Sequence, residues 1–185
     1  MYTGNNPTAL QSRQWFLDSL IALMQEMPYQ DITIRMICKR ADLSRQTFYN
    51  LFENKEEILH CCLRQLYLEE FDKLSKKNHI SLYDTIESFS AVLEHNRTLL
   101  ALMIDNHLES VITVEISNCV TLFANRFSIQ GPADNTMPYG VAFLSGALAQ
   151  TLVFWFKQET PLPFTELSDL LMKILAGKYY QDFSD

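Results

Sequence analysis

Residues 44–52, SRQTFYNLF, place an arginine, a glutamine, a threonine, a tyrosine and an asparagine in one short stretch. Phe48, Leu51 and Phe52 sit among them at the spacing of a buried helix side. Three apolar anchors with hydrogen-bonding groups on the other side suit the reading of DNA. Arg fits guanine O6 and N7, Gln fits adenine N6 and N7, and the Thr methyl packs on a thymine methyl. Arg45, Gln46 and Thr47 fall in the first turn, where a recognition helix meets base edges. Tyr49 and Asn50 follow on a flank from which a phenol or an amide reaches phosphate oxygens. The competing reading is a solvated helix face.

Thr33, Ser44 and Lys55 complete a candidate phosphate-binding set. Thr33 and Ser44 open two helices and offer a hydroxyl beside free N–H groups. Lys55 stands in the first turn of the next helix, where the helix dipole disfavours a cation unless an anion docks there.

These residues need helices to hold them. From Tyr29 to Gln130 the chain has neither glycine nor proline, so it reads as helices joined by polar turns. DITIRMI fits a strand or a helix capped by Thr33, and the helix is preferred. The first helix is expected from about Ala9 to Glu26, with Thr8 and Gln11 at capping-box spacing. The second spans Ile34 to Ala41 and the third opens on Ser44. The fourth follows Asn54 and runs to about Lys76. Further helices are expected over 82–95, 97–105, 107–128, Tyr139–Lys157 and Phe164–Tyr180, with a loop at 128–138. Helices two and three, joined by Asp42-Leu43-Ser44, make a helix-turn-helix.

The fold class is therefore all-α, with an N-terminal three-helix helix-turn-helix part over 1–55 and a helical body over 56–185. The chain has 185 residues, 48% hydrophobic and 20% charged, which is globular composition. No apolar run reaches membrane-span length, and no secretory signal opens the chain, so the expected setting is cytoplasmic, without a membrane. The net charge of −7 is uneven: +1 over residues 1–55 and −8 over the rest. Local field, not total charge, decides nucleic-acid binding.

In the body, Ala142, Ser145, Gly146 and Ala149 form a smooth stripe on one helix. It serves close packing within the chain or across a twofold axis. Phe89, Leu93, Met103, Phe123 and Phe127 are core residues or the wall of an apolar ligand pocket. His60, Cys61, Cys62, His95, His107 and Cys119 match no zinc spacing, so neither metal nor cofactor is expected. No nucleophile elbow, phosphate loop or carboxylate pair points to an enzyme.

ITIRMICKRADLSRQTFYNLFENKEEIL, residues 32–59, resembles the DNA-binding domain of the TetR family of transcriptional regulators. The match lies in Thr33, Ala41, Ser44, Thr47, Phe48, Tyr49, Phe52, Lys55 and Glu56. Asn50 replaces the family's usual His, and the turn lacks the usual Gly, with Asp42 in its place. FWFKQETPLPFTEL resembles the junction of the family's last two helices. The resemblance implies a homodimer that binds a palindromic double-stranded DNA operator. The body would then hold dimerisation and ligand sensing, with a small, mainly apolar effector relieving repression. A TetR-like coactivator working mainly through protein contacts is the alternative.

Overall fold

The computed structural model describes residues 6–77, 80–126 and 136–179, and their regular structure is helical throughout. Helix α1 (Pro7–Glu26) begins earlier than the spacing of Thr8 and Gln11 suggested. Asn6 caps it, accepting from the Thr8 N–H at 3.1 Å. Pro7 takes the first helical position, where a missing N–H is no loss. A 3-10 turn (Tyr29–Asp31) leads into α2 (Ile34–Ala41). The Thr33 hydroxyl caps α2, accepting from the Met36 N–H at 3.3 Å.

Asp42 ends α2 in the left-handed region, at φ 53° and ψ 39°. This is the conformation a glycine would supply, and Asp tolerates it better than most residues. It lets the Leu43 N–H reach the Cys38 carbonyl at 3.0 Å. Ser44 then caps α3 (Arg45–Leu51), accepting from the Thr47 N–H at 2.9 Å. Asn54 accepts from the Glu57 N–H at 3.0 Å at the start of α4 (Glu56–Ser75).

The body continues with α5 (Leu82–His95), opened by a capping box between Ser81 and Asp84. Helices α6 (Arg97–Asp105), α7 (Glu109–Arg126), α8 (Met137–Phe156) and α9 (Phe164–Leu175) follow. Helix α9 stops short of its expected end. Gly177 turns left-handed at φ 69°, and the Lys178 N–H closes on the Lys173 carbonyl at 2.8 Å. Most of the loop expected at 128–138 lies outside the described residues.

Helix α4 packs on α1, α5 and α7, while α8 lies along α7 and α9 against α5. One apolar cluster runs from Phe16 through Leu59 and Met103 to Val153, joining the N-terminal part to the body. In its N-terminal portion Phe16 meets Phe48 and Phe52 edge-on, with ring centroids 5.3 and 6.0 Å apart.

Helix α8 is long and apolar enough to cross a membrane, with a mean hydropathy of 1.4. Ser145, Gln150 and Thr151 interrupt its apolar run. One side is packed, burying Ser145, Ala149, Leu152, Val153 and Trp155. The opposite side carries Tyr139 and Phe143, which are 78% and 77% exposed. The expected four-residue stripe is therefore divided. At about 100° per residue, Ser145 and Ala149 fall to one side of its midline and Ala142 and Gly146 to the other. The first pair is buried within the subunit and the second is exposed.

The left-handed Asp42 sets a test. Asp42→Gly should keep the melting temperature within a few degrees. Asp42→Val should cost about 1–2 kcal/mol, because a branched side chain meets its own carbonyl there. In a chain of this size that is a drop of roughly 2–8 °C by thermal denaturation.

Candidate nucleic-acid interface and internal cavity

Buried Phe48 and Leu51 pin α3 against α1, so its other sides are set by helical geometry. Arg45, Gln46, Tyr49 and Asn50 are exposed, and Thr47 is half-buried. The Thr47 and Ser44 hydroxyls share a hydrogen bond of 2.9 Å. The Arg45 guanidinium leans over the Tyr49 ring, 6.0 Å from its centroid. The helix thus presents its first turn and one flank to solvent as a single polar surface.

Two exposed cations that sequence reasoning passed over lie on the preceding helix, α2. Arg35 and Lys39 lie four residues apart on α2 and are both exposed. Their i, i+4 spacing was the available signal. Arg40 faces another way and pairs with Glu26 at 2.6 Å.

Lys55 stands at the cap of α4, and its side chain turns back toward the turn before α2. Its Nζ donates to the carbonyls of Tyr29 at 2.6 Å, Ile32 at 2.7 Å and Gln30 at 3.3 Å. The Tyr29 ring lies 4.2 Å from the same nitrogen. An ammonium has three protons, and three carbonyls take them. Burial pulls Lys55 below the usual lysine value, while Asp31 and Glu56 oppose the shift. The geometry holds the protonated form. Lys55 therefore fastens the start of α4 to the turn before α2, and a phosphate would have to compete with those carbonyls.

Behind this surface, a cavity of about 360 Å³ opens between α4, α5, α7, α8 and α9. Phe89, Leu93 and Phe123 line it. Met103 does not; it is fully buried in the core beside it. Phe127 lies outside the described residues. The expected region, 82–127, supplies only part of the wall, since Leu66, Leu148 and Leu171 close it from α4, α8 and α9.

The cavity has one deeply buried charged group. Glu115 on α7 is 2% exposed. Its Oε1 accepts from Arg64 Nη2 at 3.2 Å and lies 2.8 Å from His60 Nδ1. Its Oε2 has no hydrogen-bond partner. Tyr67 stands beside it, and burial together with the Glu115 charge pushes its phenol up to about 12. Sequence reasoning missed this group, although the signal was present. Glu115 falls on the apolar stripe of α7 formed by Ile112, Ile116 and Cys119.

Residues 16–62 match the family of bacterial regulatory proteins, tetR family. No curated protein matches the chain in sequence. Among solved structures the chain is similar to Lin0861 from Listeria innocua, at 13% identity and a TM-score of 0.76, over 96% of each chain. It is also similar to a TetR transcriptional regulator from Streptococcus agalactiae 2603V, at 20% identity and a TM-score of 0.57. That likeness covers 93% of this chain and 96% of the other. A third is the dihydroxyacetone kinase operon activator DhaS, at 17% identity and a TM-score of 0.58, over 90% of this chain and 95% of the other. At these identities the likeness is one of fold, and it extends through the body.

The setting of Lys55 predicts a stability effect. Lys55→Met leaves the Ile32 carbonyl without its donor and takes one of two donors from the Tyr29 carbonyl, at a cost of about 1–3 kcal/mol. Thermal denaturation should register a fall of roughly 2–12 °C. An unchanged melting temperature with weakened DNA binding would instead make Lys55 a phosphate contact alone.

Proposed function

We propose that this chain, whose residues 16–62 form a tetR-family helix-turn-helix domain, is a ligand-responsive transcriptional regulator that represses by binding a palindromic operator as a homodimer. One observation carries the DNA-reading part: the exposed Arg45, Gln46, Tyr49 and Asn50 on a helix pinned by buried Phe48 and Leu51. Arg45, Gln46 and Thr47 read base edges in the major groove. Tyr49, Asn50, Arg35 and the capped starts of α2 and α3 at Thr33 and Ser44 hold phosphates. The division falls where α4 begins, with reading below it and sensing and assembly above it. The protein acts in the cytoplasm, where its DNA is.

The homodimer reading rests on α8. Tyr139, Phe143 and Phe154 expose large aromatic surfaces on one side of that helix. Gly146 lies on the exposed side too, and a Cβ built there meets nothing within 4 Å. Packing within the subunit therefore gives no reason for a glycine, whereas a second helix crossing close would. An apolar effector in the cavity would bind the DNA-free form better, with a coupling of about 1–3 kcal/mol. Activation through protein contacts is the second reading. It draws on the acidic body and on DhaS, a similar fold named as an operon activator.

Gel shifts with DNA from upstream of the protein's own gene test the reading. A complex that survives competitor DNA is expected, and its absence at low salt would favour the coactivator. Within that assay, Arg45→Ala or Gln46→Ala should relax preference at one base pair, each by about 1–3 kcal/mol. Arg35→Ala should instead weaken all sequences alike and lower the salt slope by about one.

Assembly has its own measurement. The wild-type chain should sediment at twice its 21.5 kDa. Gly146→Leu should yield folded monomers with little operator affinity, because half-sites about one helical turn apart need two linked heads. A Gly146→Leu variant that stays dimeric moves the twofold axis off this face.

A further inference from the structure

We propose that the cavity is a channel for one unbranched hydrocarbon chain of about a dozen carbons, with no polar group along the enclosed part. The proposal rests on the reading of the cavity as an effector site and names the class of its occupant.

Shape carries the first half. On α7 the wall follows one stripe from Ile112 through Ile116 and Val120 to Ala124, and on α5 it runs from Thr85 to Asn96. At about 1.5 Å per residue these stripes are about 18 and 16 Å long. A compact void of about 360 Å³ would be only ~7 Å across, so this volume is drawn out along the helices. Volume and length then agree on one occupant. At ~30 Å³ per non-hydrogen atom the void holds about a dozen atoms. In single file, with each bond advancing ~1.2 Å and a carbon's width of ~4 Å added at the ends, a dozen atoms reach about 17 Å. A branched or ring-shaped molecule of the same volume is shorter and wider than that.

The chemistry of the wall carries the second half. Leucine, isoleucine, valine and phenylalanine side chains make up most of it. Its hydroxyl groups already donate within the chain: Ser88 to Glu70 at 2.7 Å, Thr85 to the Ser81 carbonyl at 3.2 Å, and Ser81 to Asp84 at 2.5 Å. Asn96 turns its amide back on the Val92 carbonyl at 2.8 Å. Glu115 is held by Arg64, His60 and Tyr67. Burial raises the Cys119 thiol to about 12, so it stays neutral. A carbonyl or carboxylate on a ligand would leave water for a wall whose hydroxyl protons are already placed, whereas a methylene loses no hydrogen bond there.

Three eight-carbon probes separate shape from chemistry: n-octane, its branched isomer 2,2,4-trimethylpentane, and 4-octanone, whose mid-chain carbonyl cannot be left outside. Binding to the full-length chain is read from headspace partitioning in sealed vials. The straight hydrocarbon should bind at least tenfold more tightly than either of the others. Val120→Phe, which adds a ring to the wall, should weaken n-octane at least tenfold with the helical circular dichroism unchanged. Because the probe series is read first in the wild-type chain, it stands even if Val120→Phe folds poorly. A preference under tenfold over the branched isomer overturns the channel, and one under tenfold over 4-octanone overturns the apolar lining; both leave the effector reading intact. Failure of all three probes to bind removes the occupant and the effector reading together. Tight binding of n-octane that leaves operator affinity unchanged keeps the occupant and removes the effector reading.

Discussion

Three carbonyls around one ammonium tie the N-terminal helices to the start of α4, beside the apolar cluster that joins them to the body. Lys55 stands at the start of α4 and reaches the backbone of Tyr29, Gln30 and Ile32, the turn that leads into α2. These carbonyls belong to a 3-10 turn and the residue after it, which lack the full complement of helical donors. A half-buried cation needs acceptors, and part-buried turn carbonyls need donors, so each solves the other's problem. The same turn is tied from a second side, where the Tyr29 N–H donates to the Asn106 side chain at 2.8 Å at the end of α6. The helix-turn-helix therefore does not hang from a linker. It is fastened to α4 by a charge and to the body by an amide.

Helix α4 consequently belongs to two parts of the molecule. Its first residues answer to the turn before α2, and its second and third turns answer to Glu115 on α7. Ile58 and Leu59 are buried in the core, so the first turns of the helix are clamped by packing as well as charge. Farther along, Leu63, Leu66 and Tyr67 face the cavity, where the packing is open. A helix held firmly at one end and lining a void farther along is suited to tilt as a unit. Movement there would carry the start of α4, and with it α3, without disturbing the Phe16, Phe48 and Phe52 cluster that fixes α3 to α1.

Helix α8 illustrates how little hydropathy alone decides. Its composition satisfies the length and apolarity of a membrane span. Its inner side instead packs along α7, and the Trp155 indole donates to the Leu162 carbonyl at 2.8 Å, folding the connection to α9 back on the helix. Its opposite side leaves Tyr139, Phe143 and Phe154 exposed. An apolar surface of that kind on a packed helix fits a protein interface.

The sequence by itself determined the features that depend on neighbours a few residues away. Thr33, Ser44 and Asn54 cap helices because their side-chain oxygens reach N–H groups within one turn. Asp42 takes the glycine's place because its backbone conformation is a local matter. The polar and apolar sides of α3 follow from its period. Tertiary structure decided what depends on distant partners. Periodicity says that Lys55 starts a helix, but not that a turn 25 residues earlier aims its carbonyls at Nζ. It places Glu115 on an apolar stripe, but His60 and Arg64 come from a helix more than 50 residues away. It draws one small-residue stripe on α8, but only the position of α7 puts Ser145 and Ala149 inside and leaves Ala142 and Gly146 outside. Hydrogen-bond reach and helical period are properties of a segment, whereas the partner across a packed interface is a property of the whole chain.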